Sequence, residues 1–152
     1  MARSVARLRL KLKDQRGFTI AEVLVVAAIM GILAVIAVPQ FLTYQHQIRL
    51  NSATRHVFGE LMSARMKAVN ENTTYTVTFP TTNTMQIAGS TTKTIDIQSL
   101  YSGVQFYFPG TPPTIQFNSR GTSNVAPTLT IRCAIAGDKT VTVKITGAVT
   151  IS

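Results

Sequence analysis

Few side chains in this sequence are placed to do chemistry, and one of them stands where an ordinary anchor would not put it. Residues 16–24 read RGFTIAEVL, and Glu22 is the only charge in the run FTIAEVLVVAAIMGILAVIAV at 18–38. A carboxylate near the start of a bilayer-embedded helix costs on the order of a few kcal/mol if it stays unpaired. A cut between Gly17 and Phe18 would create an α-amine four residues before Glu22, close to a helix N-terminus. The carboxylate of one copy and the amine of another would attract strongly in a low-dielectric core, and one buried acid per copy would set the axial register of stacking.

The remaining reactive side chains point away from catalysis. His46 and His56 lie ten residues apart, about 80° around a helix and two to three turns along it, too far to chelate one metal. A lone Cys133 excludes an intrachain disulfide and a multi-cysteine metal site. Its phase with Leu129, Ile131 and Ile135 makes it an apolar core position rather than a reactive thiol. Asp96 and Asp138 are far apart in sequence, so no calcium cage is expected. With no nucleophile elbow, phosphate loop or close pair of acids, the chain is not expected to be an enzyme, and no cofactor or metal is implied.

Charge is concentrated at one end. Residues 1–16 hold six of the 15 basic side chains and one of the six acids, so without them the net charge falls from +9 to +4. The basic balance is thus largely a property of the leader and weak evidence for nucleic acid. Further on, Arg120, Arg132, Lys139 and Lys144 form a possible basic patch for phosphates, Arg132 and Lys144 being in the outward phase of their strands; solvated strand charges are the alternative.

Four zones must position these groups. Residues 1–17 are a basic leader, to be held on the cytoplasmic side of a membrane and cleaved. Residues 18–39 form a hydrophobic helix; at 1.5 Å per residue the apolar run covers about 30 Å, the thickness of a bilayer's hydrocarbon core. Pro39 predicts a kink or weak turn, and Gly31 is a second point of weakness. Residues 40–72 read as an amphipathic helix with two apolar stripes: Leu50, Ala53, Val57, Leu61, Ala64 and Ala68 on one, Tyr44, Ile48, Phe58, Met62, Met66 and Val69 on the other. Either both form one broad buried face, or one packs on the chain's own domain and the other on neighbouring subunits.

Residues 73–152 shift to a period of two. Tyr75, Val77 and Phe79 alternate with threonines, PTTN at 80–83 turns the chain, and Met85 and Ile87 return, predicting a hairpin over 74–88. Ile95 and Ile97, then Val104, Phe106 and Phe108, then Ile115 and Phe117 continue the pattern. Leu129, Ile131, Cys133 and Ile135 follow, then the turn AGDK, then Val141, Val143 and Ile145, and after Gly147 the short pair Val149 and Ile151. The fold class expected is α+β, a long N-terminal helix whose second half packs on an antiparallel β-sheet or small β-sandwich.

The run RGFTIAEVLVVAAIMGILAVIAVPQF closely resembles the class III signal of type IV pilins and type II secretion pseudopilins: a basic leader ending in glycine, phenylalanine at the mature start, glutamate fifth, a hydrophobic helix and a proline after it. The likeness covers about the first 50 residues. It implies a pilin fold, cleavage after Gly17 and methylation of the new amine of Phe18 by a prepilin peptidase, and alignment of subunits by Glu22. Gly31 and Pro39 match positions where the family's stem helix is kinked or loosened in filaments. The implied partners are other pilins or pseudopilins in a filament, an inner-membrane assembly platform, and the membrane itself before assembly. The implied location is the bacterial inner membrane, single-pass with the C-terminal domain in the periplasm, and then the pilus or pseudopilus.

The stretch IQFNSRGTSNVAPTLTIRCAIAGDKTVTVKITGAVTIS resembles the C-terminal half of the general secretion pathway protein H and FimT-like group, which suggests a minor pilin or minor pseudopilin. Major pilins of the common kind close a C-terminal loop with two cysteines, and this chain has one. Some FimT-like members are linked to DNA uptake through arginines after the terminal glycine. Here Gly147 is followed by Ala148, Val149 and Thr150, so DNA binding would fall to Arg120, Arg132, Lys139 and Lys144. An ordinary secretory signal, cut after VIA at 35–37 to leave Val38 first, is the competing account of the N-terminus. The overlong apolar run, its acid and Pro39 just past the cut stand against it.

Overall fold

The computed structural model describes residues 17–152. The basic leader therefore lies, apart from Gly17, outside the described residues. The chain divides into two compact units between Val38 and Pro39, and one helix, α1 (Ile20–Asn70), contributes to both. Helical structure continues through Gly31 and Pro39.

The first unit has no core of its own among the described residues. Every large apolar side chain from Phe18 to Val38 is more than half exposed. The sequence is apolar all round the helix there, and a helix of that kind needs a covering from outside the chain.

The second unit has a core. In α1 the stripe Leu50, Ala53, Val57, Leu61, Ala64 and Ala68 is fully buried, and the helix ends in a left-handed cap. Asn72 has φ 49, its N–H donates to Val69 O (3.3 Å), and Thr73 N–H reaches back to Ala68 O (3.1 Å). This pattern satisfies the last carbonyls and turns the chain out of the helix where its period changes to two.

Eight strands follow: β1 (Tyr75–Thr78), β2 (Thr84–Ala88), β3 (Thr92–Asp96), β4 (Val104–Tyr107), β5 (Ile115–Phe117), β6 (Thr128–Cys133), β7 (Gly137–Val143) and β8 (Val149–Ile151), with a one-turn helix α2 (Ile97–Leu100) after β3. They form two antiparallel sheets, β3-β2-β1-β5 and β4-β6-β7-β8. Register places inward residues opposite one another, as in Val77 with Ile87 and Ile115, and Ile131 with Phe106. Both sheets and the α1 stripe contribute to one hydrophobic cluster. Phe79, just past β1, meets Phe106 of β4 edge-on with centroids 5.0 Å apart, so an aromatic contact joins the two sheets.

The α+β class and the 74–88 hairpin are as expected, whereas three isoleucines are not where the alternation put them. Ile97 is buried, but it starts α2 instead of continuing a strand: the Asp96 carboxylate accepts from Gln98 N–H (2.9 Å) and Ser99 N–H (3.2 Å) and caps a helical turn. Ile135 is 60% exposed in the turn at 134–136, ahead of the AGDK expected to reverse the chain. Ile145 is exposed too, because β7 has already ended at Val143. The two apolar stripes of α1 also part company. Phe58 and Met62 pack at the edge of the core, but Tyr44, Ile48, Met66 and Val69 are exposed, so a single broad buried face is ruled out.

Candidate functional site

At the N-terminal end, Gly17, Phe18 and Thr19 precede the helix. Phe18 is 82% exposed, and among the described residues nothing approaches within 4 Å of where a Gly17 side chain would project. A peptide bond that is non-helical and accessible is the state a peptidase requires. Thr19 caps α1: its hydroxyl oxygen accepts from Glu22 N–H (3.2 Å), and its carbonyl accepts from Glu22 N–H (3.1 Å) and Val23 N–H (3.2 Å). Thr19 is a capping residue that sequence reasoning missed, although the T-x-x-E spacing of a capping box is plain in TIAE. Glu22 thus sits in the first turn, where the helix dipole favours negative charge.

Further along α1, Gly31 has open space around it. Pro39 has no N–H to offer the preceding turn, and the Thr43 hydroxyl donates to its carbonyl (3.2 Å), a back-bond that favours bending.

In the second unit, Arg65 of α1 holds two turns together. Its Nε donates to Gly121 O (2.8 Å), and a longer bond runs from its Nη2 to Thr146 O (3.5 Å). Gly121 (φ 75) and Gly147 (φ 78) both adopt left-handed backbone. They meet so closely that a Cβ on Gly147 would overlap the Gly121 carbonyl oxygen. The residue-plus-glycine turn and the terminal glycine seen in the sequence are therefore two halves of one contact, closed by an arginine.

The four basic residues of the possible patch are not gathered in one place. Arg120 and Lys144 lie in the turns that Gly121 and Gly147 join, with Lys144 O accepting from Gly147 N–H (2.8 Å). Arg132 and Lys139 lie at the β6–β7 end, and they occupy opposite phases. Lys139 pairs in register with the inward Ile131, while Arg132 pairs with Asp138 on the outer face. Arg132 is occupied there: Nε and Nη2 donate to the Asp138 carboxylate at 2.9 and 2.7 Å, and the guanidinium lies 3.5 Å from the Tyr107 ring centroid. Asp138 is held below the usual carboxylate range by hydrogen bonding to Arg132. Glu71, just past the end of α1, is likewise lowered by hydrogen bonds from Ser90 and then Tyr75, whose hydroxyl donates at 2.7 Å. His56 lies 3.4 Å from Glu60, which also takes Lys93 Nζ at 2.6 Å, and its ring meets Tyr101 edge-on. Cys133 is buried in the core.

Comparison with known proteins places both parts of this chain. Residues 12–38 match the prokaryotic N-terminal methylation motif, and residues 53–148 match the family described as type II transport protein GspH. Two fimbrial proteins of Pseudomonas aeruginosa are each 40% identical over 60 residues, a stretch covering 40% of this chain and 38% of theirs. The crystal structure of the type IV minor pilin FimU of Pseudomonas aeruginosa aligns with a TM-score of 0.55 and 14% identity over 67% of this chain and 91% of that one, a likeness of fold.

Proposed function

The chain belongs to the type II transport protein GspH family, and on that premise we propose that it is a minor pilin or pseudopilin, a structural subunit of a type II secretion pseudopilus or type IV pilus. A prepilin peptidase cuts between Gly17 and Phe18 and methylates the new amine. The subunit waits in the inner membrane with residues 39–152 in the periplasm, and the assembly platform moves it into a filament with other pilins or pseudopilins.

The observation that carries this reading is the uncovered helix from Phe18 to Val38 beside a second unit that fills its own core. Burying one large apolar side chain is worth about 1.5–3 kcal/mol. Covering only a few such side chains therefore contributes as much as the whole stability of a domain, about 5–15 kcal/mol. Lipid and then neighbouring helices supply the cover, and assembly exchanges one for the other. Glu22 pairs with the amine of a neighbour's Phe18 and sets the register. The exposed stripe of Tyr44, Ile48, Met66 and Val69 faces neighbouring subunits.

Glu22→Ala tests the register role. The precursor should still be cut to begin at Phe18, by mass spectrometry of the purified protein, yet be depleted from sheared filaments. Wild-type amounts in the sheared fraction would contradict the proposal, and a mature chain beginning at Val38 would return the N-terminus to an ordinary secretory signal.

A further inference from the structure

We propose that, before assembly brings neighbouring subunits against α1, the end of the 39–152 unit nearest Pro39 docks on the anionic surface of the bilayer, through Ile135 at the tip of the β6–β7 turn, Tyr44 of α1, and the basic side chains around them. The proposal rests on the membrane span assigned above to residues 18–38, because a span ending at Val38 puts Pro39 at the interface by chain connectivity alone.

Ile135 has no role in the core or in the assembly stem. It is an exposed isoleucine in a turn otherwise made of alanines. Its place along α1 is defined at both ends of β7. Ala136, Asp138 and Lys139 border a shallow cleft with Gln47, Leu50 and Asn51 of α1, whereas the turn after β7 lies against Arg65. The second sheet therefore presents its 134–136 turn at the Pro39 end. Gln47 is about 12 Å along the helix axis from Pro39 at 1.5 Å per residue, and the headgroup layer adds roughly 5–7 Å on each side of the hydrocarbon core. An apolar tip and its basic neighbours can reach that layer with a modest tilt.

Tyr44 lies one turn before Gln47 on the same side of α1 and is exposed, and an aromatic ring with a polar tip suits the interface. The charge has the sign that anionic lipid requires. Residues 39–59 contain Arg49 and Arg55 and no acid, and the first carboxylate of α1 beyond them, Glu60, is already bonded to Lys93. At the turn itself, Asp138 is neutralised by Arg132 and leaves Lys139 as the net charge. Continuity with the span, an unburied apolar tip and a net positive surround together select a lipid surface.

The chain contains no tryptophan, so Ile135→Trp gives a single reporter at an exposed site. The full chain would be placed in nanodiscs of phosphatidylcholine with or without phosphatidylglycerol, with brominated lipid as quencher. Ile145→Trp is the matched control, exposed but next to the Arg65 contact, and Val26→Trp reports the span. In discs with phosphatidylglycerol, Ile135→Trp should be quenched far more than Ile145→Trp. Lys139→Gln in the Ile135→Trp background should lower the ratio of docked to undocked protein about fivefold, the effect of one basic residue near such a surface. Equal quenching at Ile135→Trp and Ile145→Trp, or quenching at Ile135→Trp that ignores lipid charge, would overturn the proposal. If Val26→Trp is quenched while Ile135→Trp is not, docking fails and the span stands; if neither is quenched, the span itself is lost.

Discussion

Replacing Gly147 with alanine should damage the fold more than the same change at another left-handed glycine, and the difference measures the contact that Arg65 closes. Gly137 (φ 91) has open space where a Cβ would project, so Gly137→Ala carries only backbone strain, about 1–2 kcal/mol. Gly147 (φ 78) carries the same strain, and its Cβ would in addition overlap the Gly121 carbonyl oxygen, so one of the two turns must move. Movement stretches the 2.8 Å bond from Arg65 Nε to that oxygen. A hydrogen bond to a charged group contributes about 1.5–3 kcal/mol, and the lower end applies at this half-buried site. The expected loss is about 2.5–3.5 kcal/mol for Gly147→Ala against about 1–2 for Gly137→Ala. Urea unfolding of the full chain in detergent micelles, followed by near-ultraviolet circular dichroism of the packed tyrosines, reads both. An Arg65→Ala background should shrink the Gly147→Ala penalty, since neighbours that share a contact are non-additive. Equal losses at the two glycines would refute the reasoning.

Acid should weaken the second unit through Asp138 and Glu71. Both carboxylates are held below their ordinary range in the fold, Asp138 by Arg132 and Glu71 by Ser90 and then Tyr75, so the stability they contribute is complete above the unfolded value, about pH 4, and is lost as pH falls through the folded value. Asp138→Asn should flatten part of that acid limb in micellar melts; the exposure of both groups keeps the effect small, and an unchanged limb would remove Asp138 from the account. The alternative role in DNA uptake predicts salt-sensitive binding of a labelled duplex by the full chain, reduced by Lys144→Gln and Arg120→Gln. Fluorescence polarisation at low and moderate salt decides it, with no binding at either salt counting against that role.

Periodic parts of this fold were legible because each residue carries its own phase. The two stripes of α1, the 74–88 hairpin and the core position of Cys133 follow from spacing alone, but that only the Leu50–Ala68 stripe is buried does not. The partition of strands between sheets was not legible. β4 leaves the first sheet to pair with β6, and β5 returns to pair with β1, and nothing local to 104–117 encodes either choice. Isoleucines 97, 135 and 145 misled for a related reason: alternation continued past points where a cap or a turn had already ended the strand. At the N-terminus the acid drew attention from its neighbour, and Thr19, three residues earlier, went unread as a cap.

That cap supplies a rival explanation for Glu22, and the rivalry can be broken. A T-x-x-E box places an acid at the third helical position for local reasons, with no second subunit involved. Yet only one half of the box is formed: the Glu22 N–H donates to the Thr19 hydroxyl, whereas the Glu22 carboxylate takes no bond from the Thr19 N–H, and a charge near the start of a span still costs on the order of a few kcal/mol in lipid. A glutamine would serve the box as well as glutamate does and would spare that cost. Pairing with a neighbour's amine requires the negative charge, which glutamine lacks. Glu22→Gln should therefore keep the helix start intact, with amide exchange at Glu22→Gln and Val23 as slow as in the unaltered chain, and should still be as depleted from sheared filaments as Glu22→Ala. Normal incorporation of Glu22→Gln would leave capping as the sufficient reason for the acid and withdraw the register role.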